Sequence, residues 1–116
     1  MERSASLHLE ENYMHMRYDK LVRDNIPEII RKNGDTPVTH IAADEEYGKK
    51  LVAKLKEEAG EFAADDNAEE LADLLEVIYA ICAYKKVSRE ELESIRQKKA
   101  DERGGFGRRI ILEETK

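Results

Sequence analysis

The feature that most restricts the fold is a segment, residues 68–86, that is apolar around most of a helical circumference. Its apolar residues are Leu71, Leu74, Leu75, Val77, Ile78, Ile81 and Cys82. They recur at intervals of three and four residues, which is the periodicity of an α-helix. A helix that is apolar on nearly every side has to be covered on several sides. The segment therefore predicts a mostly helical core, and we expect subunits to share it.

Two more long helices are predicted, one before and one after this segment. Residues 44–64 place apolar side chains on one face of a helix. Ser88 followed by Glu91 forms a capping box, which is typical of a helix start. That last helix should run to about Arg103, where a pair of glycines ends it. Together the three segments predict an all-α bundle.

The rest of the chain predicts smaller elements. A short helix is expected within residues 18–33, because Pro27 is tolerated in a first helical turn. Residues 36–42 contain β-branched side chains, and residues 106–113 alternate apolar and polar ones. We therefore expect about four helices and, as a minor element, a two-stranded ribbon formed by these two extended segments.

The length of 116 residues suits one domain and not two. Residues 1–15 lack the apolar core of a secretory signal and are predicted to be a loose extension. The remaining residues, 16–116, are predicted to form a single helical domain. One cysteine, Cys82, excludes a disulfide scaffold, and a free thiol without a secretory signal favours the cytoplasm.

The charge of the chain restricts its partners. With 20 basic and 26 acidic residues the net charge is −6. An acidic chain repels phosphate backbones, so duplex DNA or RNA is not an expected partner. No apolar run approaches the roughly 20 residues of a membrane-spanning helix, so no membrane association is expected. The sequence also contains no P-loop, no G-x-G-x-x-G and no Glu-x-x-His motif.

Acidic residues interrupt the apolar face of the helix predicted over residues 44–64. Its apolar stripe includes Leu51 and Phe62. At about 100° per residue, Glu58 lies in the middle of this stripe and Glu61 lies on its border. Acids at such positions are unusual, because a stripe of this kind normally packs into the core.

A second acidic pair occurs on the next predicted helix. Glu70 and Asp73 are three residues apart and therefore share a face, which becomes apolar one turn later at Val77. The two helices are consecutive and are expected to be antiparallel. The two acidic pairs can therefore converge across the interface between the helices.

Converging carboxylates in a half-buried place need neutralisation, because each unpaired buried charge costs several kcal/mol. Lysine or arginine partners can supply it, and so can a divalent cation. Among the basic residues of these helices only Lys54 approaches the Glu58 side, which favours a hard cation such as Mg²⁺. Alternatively, the acids form solvated helix faces and Glu70 acts only in a capping box with Asn67. The spacing alone leaves both interpretations open.

The acidic motifs resemble a known signature. E-E-A-G-E at residues 57–61, followed by E-L-A-D at residues 70–73, resembles the metal-binding motif of the all-α nucleoside triphosphate pyrophosphohydrolases, the MazG-like superfamily. K-L-V-R-D-N-I-P-E-I-I at residues 20–30 and K-A-D-E-R-G-G-F at residues 99–106 look like the flanks of small phosphoribosyl-ATP pyrophosphohydrolase-like, MazG-related proteins. The resemblance covers about residues 17–114.

The resemblance implies helical bundles that form homodimers or homotetramers. It also implies hydrolysis of a nucleoside triphosphate to a monophosphate and pyrophosphate, with Mg²⁺ as cofactor and Mn²⁺ as a substitute. Carried over by position, the metal ligands would be Glu58, Glu61, Glu70 and Asp73.

The same resemblance suggests roles for neighbouring residues. Glu61 would also be catalytic, by orienting or deprotonating the attacking water. Glu57 would support catalysis, or would simply be solvated. Lys99 and Arg103, four residues apart on the last predicted helix, would bind substrate phosphates, or would end that helix as solvated cations. Arg23 would contact a phosphate, or would only tie the N-terminal segment to the bundle.

The identity of the substrate stays open at the level of sequence. We do not associate the K-L-V-R-D segment with the hydrolases of histidine biosynthesis, so house-cleaning of non-standard nucleotides is the favoured function. The alternatives are a phosphoribosyl-ATP pyrophosphohydrolase and a non-catalytic helical dimer that binds a nucleotide or a protein.

Overall fold

The computed structural model describes residues 16–116, and the predicted extension over residues 1–15 lies outside them. The described chain contains four helices: α1 (Ile26–Lys32), α2 (Asp44–Asp65), α3 (Ala68–Tyr84) and α4 (Arg89–Arg103). The predicted all-α fold is therefore confirmed. Contacts divide the chain into two compact units, with the boundary between Ile81 and Cys82. The units are described one by one below.

In the first unit, helices α2 and α3 are separated by only two residues, Asp66 and Asn67. Asp66 ends α2 in the left-handed conformation, with φ of 53°, and its N–H bonds to the carbonyl of Phe62. Asn67 Oδ1 accepts a hydrogen bond of 3.0 Å from the N–H of Glu70, as expected for a residue that caps the start of α3. This short connection places the last turns of α2 beside the first turns of α3.

Helix α1 lies within residues 18–33, where a short helix is predicted. Pro27 lies in its first turn, and Asn25 precedes the helix without a side-chain cap. A proline at this position disfavours continuation of the helix toward the N-terminus, because it lacks an N–H and crowds the preceding residue. Residues 16–25, here called the arm, therefore precede α1 without regular secondary structure.

The predicted two-stranded ribbon is wrong. Residues 36–42 and 106–113 contain no strand, and no strand occurs elsewhere in the described chain. Their large apolar side chains are mostly exposed, with Val38 at 95% and Phe106 at 97%. An isolated pair of strands is only marginally stable unless its apolar face is packed against another element.

Helix α3 buries only part of its apolar circumference in the described chain. Val77 is buried, whereas Leu71 and Leu75 are 49% and 45% exposed. If two subunits shared a core, each single copy would expose apolar side chains such as these two leucines, which lie one helical turn apart. Sharing of the core stays a prediction. None of the helices in residues 16–116 combines the length and hydropathy needed to cross a bilayer.

The second unit contains α4 and the C-terminal segment. Ser88 Oγ accepts a hydrogen bond of 3.0 Å from the N–H of Glu91, which confirms the predicted start of the helix. Gly104 follows Arg103 with φ of 84°, a conformation that favours glycine, and it ends the helix. Helix α4 has no buried residue in the described chain.

Candidate metal centre

The buried face of α2 carries two charged residues. Leu51, Lys54 and Glu58 follow one another at intervals of three and four residues, and these are the residues that α2 buries. Glu58 is only 2% exposed. The position predicted for Glu58 in the middle of the apolar stripe is therefore confirmed.

Helix α3 contributes two further buried acids to the same place. Glu70 is 4% exposed and Asp73 is 8% exposed. One carboxylate oxygen from each of Glu58, Glu70 and Asp73 lies within 4.8 Å of the others. The convergence of acids from the two helices, expected from their spacing, is present in the fold.

The fourth predicted ligand belongs to a second, overlapping group. Oxygens of Glu61, Asp65 and Glu70 also lie within 4.8 Å of one another. Glu70 is common to both groups, so the two sets form one continuous acid cluster: Glu58, Glu61, Asp65, Glu70 and Asp73. Sequence reasoning missed Asp65. The available signal was its position, one helical turn after Glu61 on the same face.

Basic side chains from α2 and from the arm contact the acids. The buried Lys54 ammonium lies 3.4 Å from Glu58 Oε2 and 3.4 Å from Glu57 Oε1. From the arm, Lys20 Nζ donates to Glu57 Oε2 at 2.8 Å, and Arg23 Nη2 donates to Asp73 Oδ1 at 2.8 Å. The contact of Arg23 matches one of the two alternatives given for it, a tie between the N-terminal segment and the bundle. The contact between Lys20 and Glu57 was not predicted.

Glu57 lies beside the acid cluster and is paired with lysines. Burial raises the pKa of its carboxyl group, but the hydrogen bonds and positive charges of Lys20 and Lys54 together outweigh this effect. The pKa of Glu57 is therefore lowered from its ordinary value. Glu57 is thus partly exposed and paired with two lysines, and its supporting role in catalysis stays a prediction.

Buried oxygens in the cluster fit a divalent cation. Oε1 of Glu58 is buried and has no hydrogen-bond partner in the described chain. The same oxygen belongs to a residue whose carboxylate meets those of Glu70 and Asp73 within 4.8 Å, so like charges are brought together at this place. Hard cations such as Mg²⁺ bind carboxylate oxygens at about 2.1 Å, so two ligating oxygens of one ion are at most about 4.2 Å apart. Oxygens that lie within 4.8 Å of one another can reach this span by small side-chain rotations.

The remaining predicted site residues lie on α4. Lys99 and Arg103 are exposed and belong to the second unit. Their predicted contact with substrate phosphates stays a prediction. A shallow concavity of about 430 Å³ on the N-terminal half of α2, lined by Glu45, Lys49 and their neighbours, contains no member of the acid cluster.

Comparisons with known proteins name no activity. No family model matches this chain, and no solved structure matches it. An uncharacterized protein of Mycolicibacterium smegmatis is 53% identical over 47 residues, which make up 40% of this chain and 48% of that protein. The chain thus spans about half the length of this relative. A functional assignment therefore depends on the acid cluster and on the resemblance of the motifs.

Proposed function

We propose that this protein is a Mg²⁺-dependent nucleoside triphosphate pyrophosphohydrolase, which releases pyrophosphate and a nucleoside monophosphate. The observation that carries the proposal is the meeting of three buried carboxylates, from Glu58, Glu70 and Asp73, within 4.8 Å. Burial of like charges at this distance is costly unless a cation neutralises them. The MazG-like motifs of the sequence supply the reaction class.

The acid cluster would hold the ion through Glu58, Glu61, Glu70 and Asp73. A bound Mg²⁺ would neutralise negative charge on the triphosphate and polarise its phosphoryl oxygens. Mn²⁺ would substitute for it. Glu61 is half-buried at the border of the cluster. From this position its carboxylate would orient the attacking water or accept a proton from it.

Phosphate groups of the substrate require positive charge. Arg23 donates to Asp73 through Nη2, and 46% of its side chain is exposed. A guanidinium carries five N–H donors, so Arg23 can hold Asp73 and still donate to a phosphate. Lys99 and Arg103 are proposed, on the resemblance of the motifs alone, to bind the leaving pyrophosphate.

The substrate class and assembly are part of the proposal. House-cleaning of non-standard nucleotides in the cytoplasm is the favoured function, and phosphoribosyl-ATP is the alternative substrate. A homodimer or homotetramer is proposed because the exposed leucines of α3, Leu71 and Leu75, would be covered by a second copy.

Pyrophosphate release from a panel of standard and damaged nucleoside triphosphates, with Mg²⁺ and with EDTA, tests the activity. We expect hydrolysis only with the metal. Glu58→Gln should abolish it, whereas Glu28→Gln, an exposed acid of α1 that pairs with Arg31, should leave it unchanged. Failure to cleave any triphosphate at high enzyme concentration would leave a non-catalytic binding protein as the better proposal.

A further inference from the structure

The arm, residues 16–25, carries a motif that the proposed function does not fully explain. It has no regular secondary structure, yet it is attached to both helices of the acid cluster. Lys50 of α2 donates to the backbone carbonyl of Asp19. Lys20 binds Glu57 on α2, and Arg23 binds Asp73 on α3. These contacts attach the irregular segment to both helices of the acid cluster.

Arg23 contacts Asp73 through only one of its two carboxylate oxygens. The accepting atom is Oδ1, at 2.8 Å from Nη2 of Arg23, while Oδ2 is buried. Glu58 shows the same arrangement, because Oε2 faces Lys54 at 3.4 Å and Oε1 is buried without a hydrogen-bond partner. In each carboxylate, one oxygen faces a protein cation and the other is buried.

A hydrogen bond to one oxygen of a carboxylate determines the direction in which its other oxygen points. The terminal torsion of an aspartate is broad, so the rotamer alone does not fix the direction of its oxygens. A charge-assisted hydrogen bond from arginine fixes that direction. Partners that hold a metal-binding side chain in this way typically contribute about 10- to 100-fold to metal affinity.

We infer that Arg23 is a positioning residue of the metal centre: it holds Asp73 Oδ1 so that the other oxygen of Asp73 faces the acid cluster. This inference rests on the metal site of the proposed function. It differs from two other roles for the same side chain. An arginine that only occupied the place of the metal would compete with it, and an arginine that only bound phosphate would not affect metal affinity in the absence of nucleotide.

Calorimetric titration of the full chain with Mg²⁺, without nucleotide, separates these roles. Arg23→Gln should weaken Mg²⁺ binding by about 10- to 100-fold. Arg23→Lys, which keeps the charge but loses the planar fork, should weaken it less. The matched control is Arg31→Gln, an exposed arginine of α1 that pairs with Glu28 at 3.3 Å, and it should leave the affinity unchanged. Unchanged or tighter binding by Arg23→Gln would overturn the inference.

A double-mutant cycle provides a readout that a general loss of structure would not produce. Because Arg23 acts through Asp73, Arg23→Gln should cost little further affinity in a protein that already carries Asp73→Asn. An equal loss in both backgrounds would contradict the inference. Circular dichroism checks that each variant is folded. If Arg23→Gln does not fold, the same measurements are made on Arg23→Lys, which is the milder change at this half-exposed side chain.

The outcomes distinguish this inference from the proposed function. If the wild-type protein binds no Mg²⁺, both are wrong. If it binds Mg²⁺ and Arg23→Gln binds equally well, only the positioning role is wrong. If it binds Mg²⁺ with the expected dependence on Arg23 but cleaves no triphosphate, the catalytic proposal is wrong and the positioning role stands.

Discussion

Replacement of Lys54 with methionine tests the electrostatics of the acid cluster directly. Lys54 is 5% exposed, and its ammonium lies 3.4 Å from both Glu58 Oε2 and Glu57 Oε1. Methionine retains most of the side-chain volume, so the substitution removes a charge without leaving a large cavity. The buried carboxylate of Glu58 then loses this cation.

The size of the effect follows from distance and burial. Two unit charges 3.4 Å apart attract by about 5 kcal/mol at an effective dielectric constant of about 20, before desolvation is subtracted. Removal of one partner from a buried ion pair typically costs about 3–5 kcal/mol. Glu57 keeps its contact with Lys20, so we expect the lower end, about 3 kcal/mol of unfolding free energy without divalent cations.

Urea denaturation followed by circular dichroism, in EDTA and at one protein concentration, measures this loss. With a slope of about 1.5 kcal/mol per molar, the midpoint should fall by about 2 M. Lys49→Met is the matched control on the same helix, because Lys49 pairs with Glu45 at 3.8 Å and both side chains are largely exposed. Its cost should be about 0–1 kcal/mol.

A second substitution identifies the unpaired charge as the cause. Glu58→Gln in the Lys54→Met background removes the uncompensated carboxylate and should restore most of the lost stability. Saturating Mg²⁺ should also stabilise Lys54→Met. If the midpoint of Lys54→Met matches that of Lys49→Met, the reasoning that the cluster depends on buried countercharge is refuted.

Three further predictions concern the metal, the arm and the assembly. Mg²⁺ at a hundredfold excess over its dissociation constant should raise the unfolding free energy by about 2.7 kcal/mol, as measured by urea denaturation, and Glu58→Gln should lack this gain. Nuclear magnetic resonance titration should find the pKa of Glu57 lowered by its lysine partners, and Lys20→Met should raise it; a normal value in the wild type would contradict the assignment. Because the lowered pKa belongs to the folded state, the associated stabilisation is present above the unfolded pKa of about 4.3 and is lost as the pH falls through the folded value. Sedimentation at micromolar concentration should show an oligomer that Leu75→Glu dissociates, and a wild-type monomer would count against the shared core.

Helical periodicity was enough to predict that an acidic residue, Glu58, lies on the apolar face of α2. Glu58 falls among apolar positions on the helical wheel, and it is buried beside Leu51 in the structure. The prediction worked because the direction of a side chain on a regular helix depends only on its number along that helix. Asp65 could have been found by the same rule, one turn after Glu61. The ribbon was predicted from local alternation alone, and pairing of strands requires a partner surface that such alternation does not specify.

The amino-acid pattern was sufficient for the helices, the caps of α3 and α4 and the acidic face of α2, because these depend on interactions within about one helical turn. The countercharges of the arm required the three-dimensional fold. Lys20 and Glu57 are 37 residues apart, and Arg23 and Asp73 are 50 residues apart. Contacts at such separations depend on the path of the chain between them, and that path is selected by the packing of the whole unit.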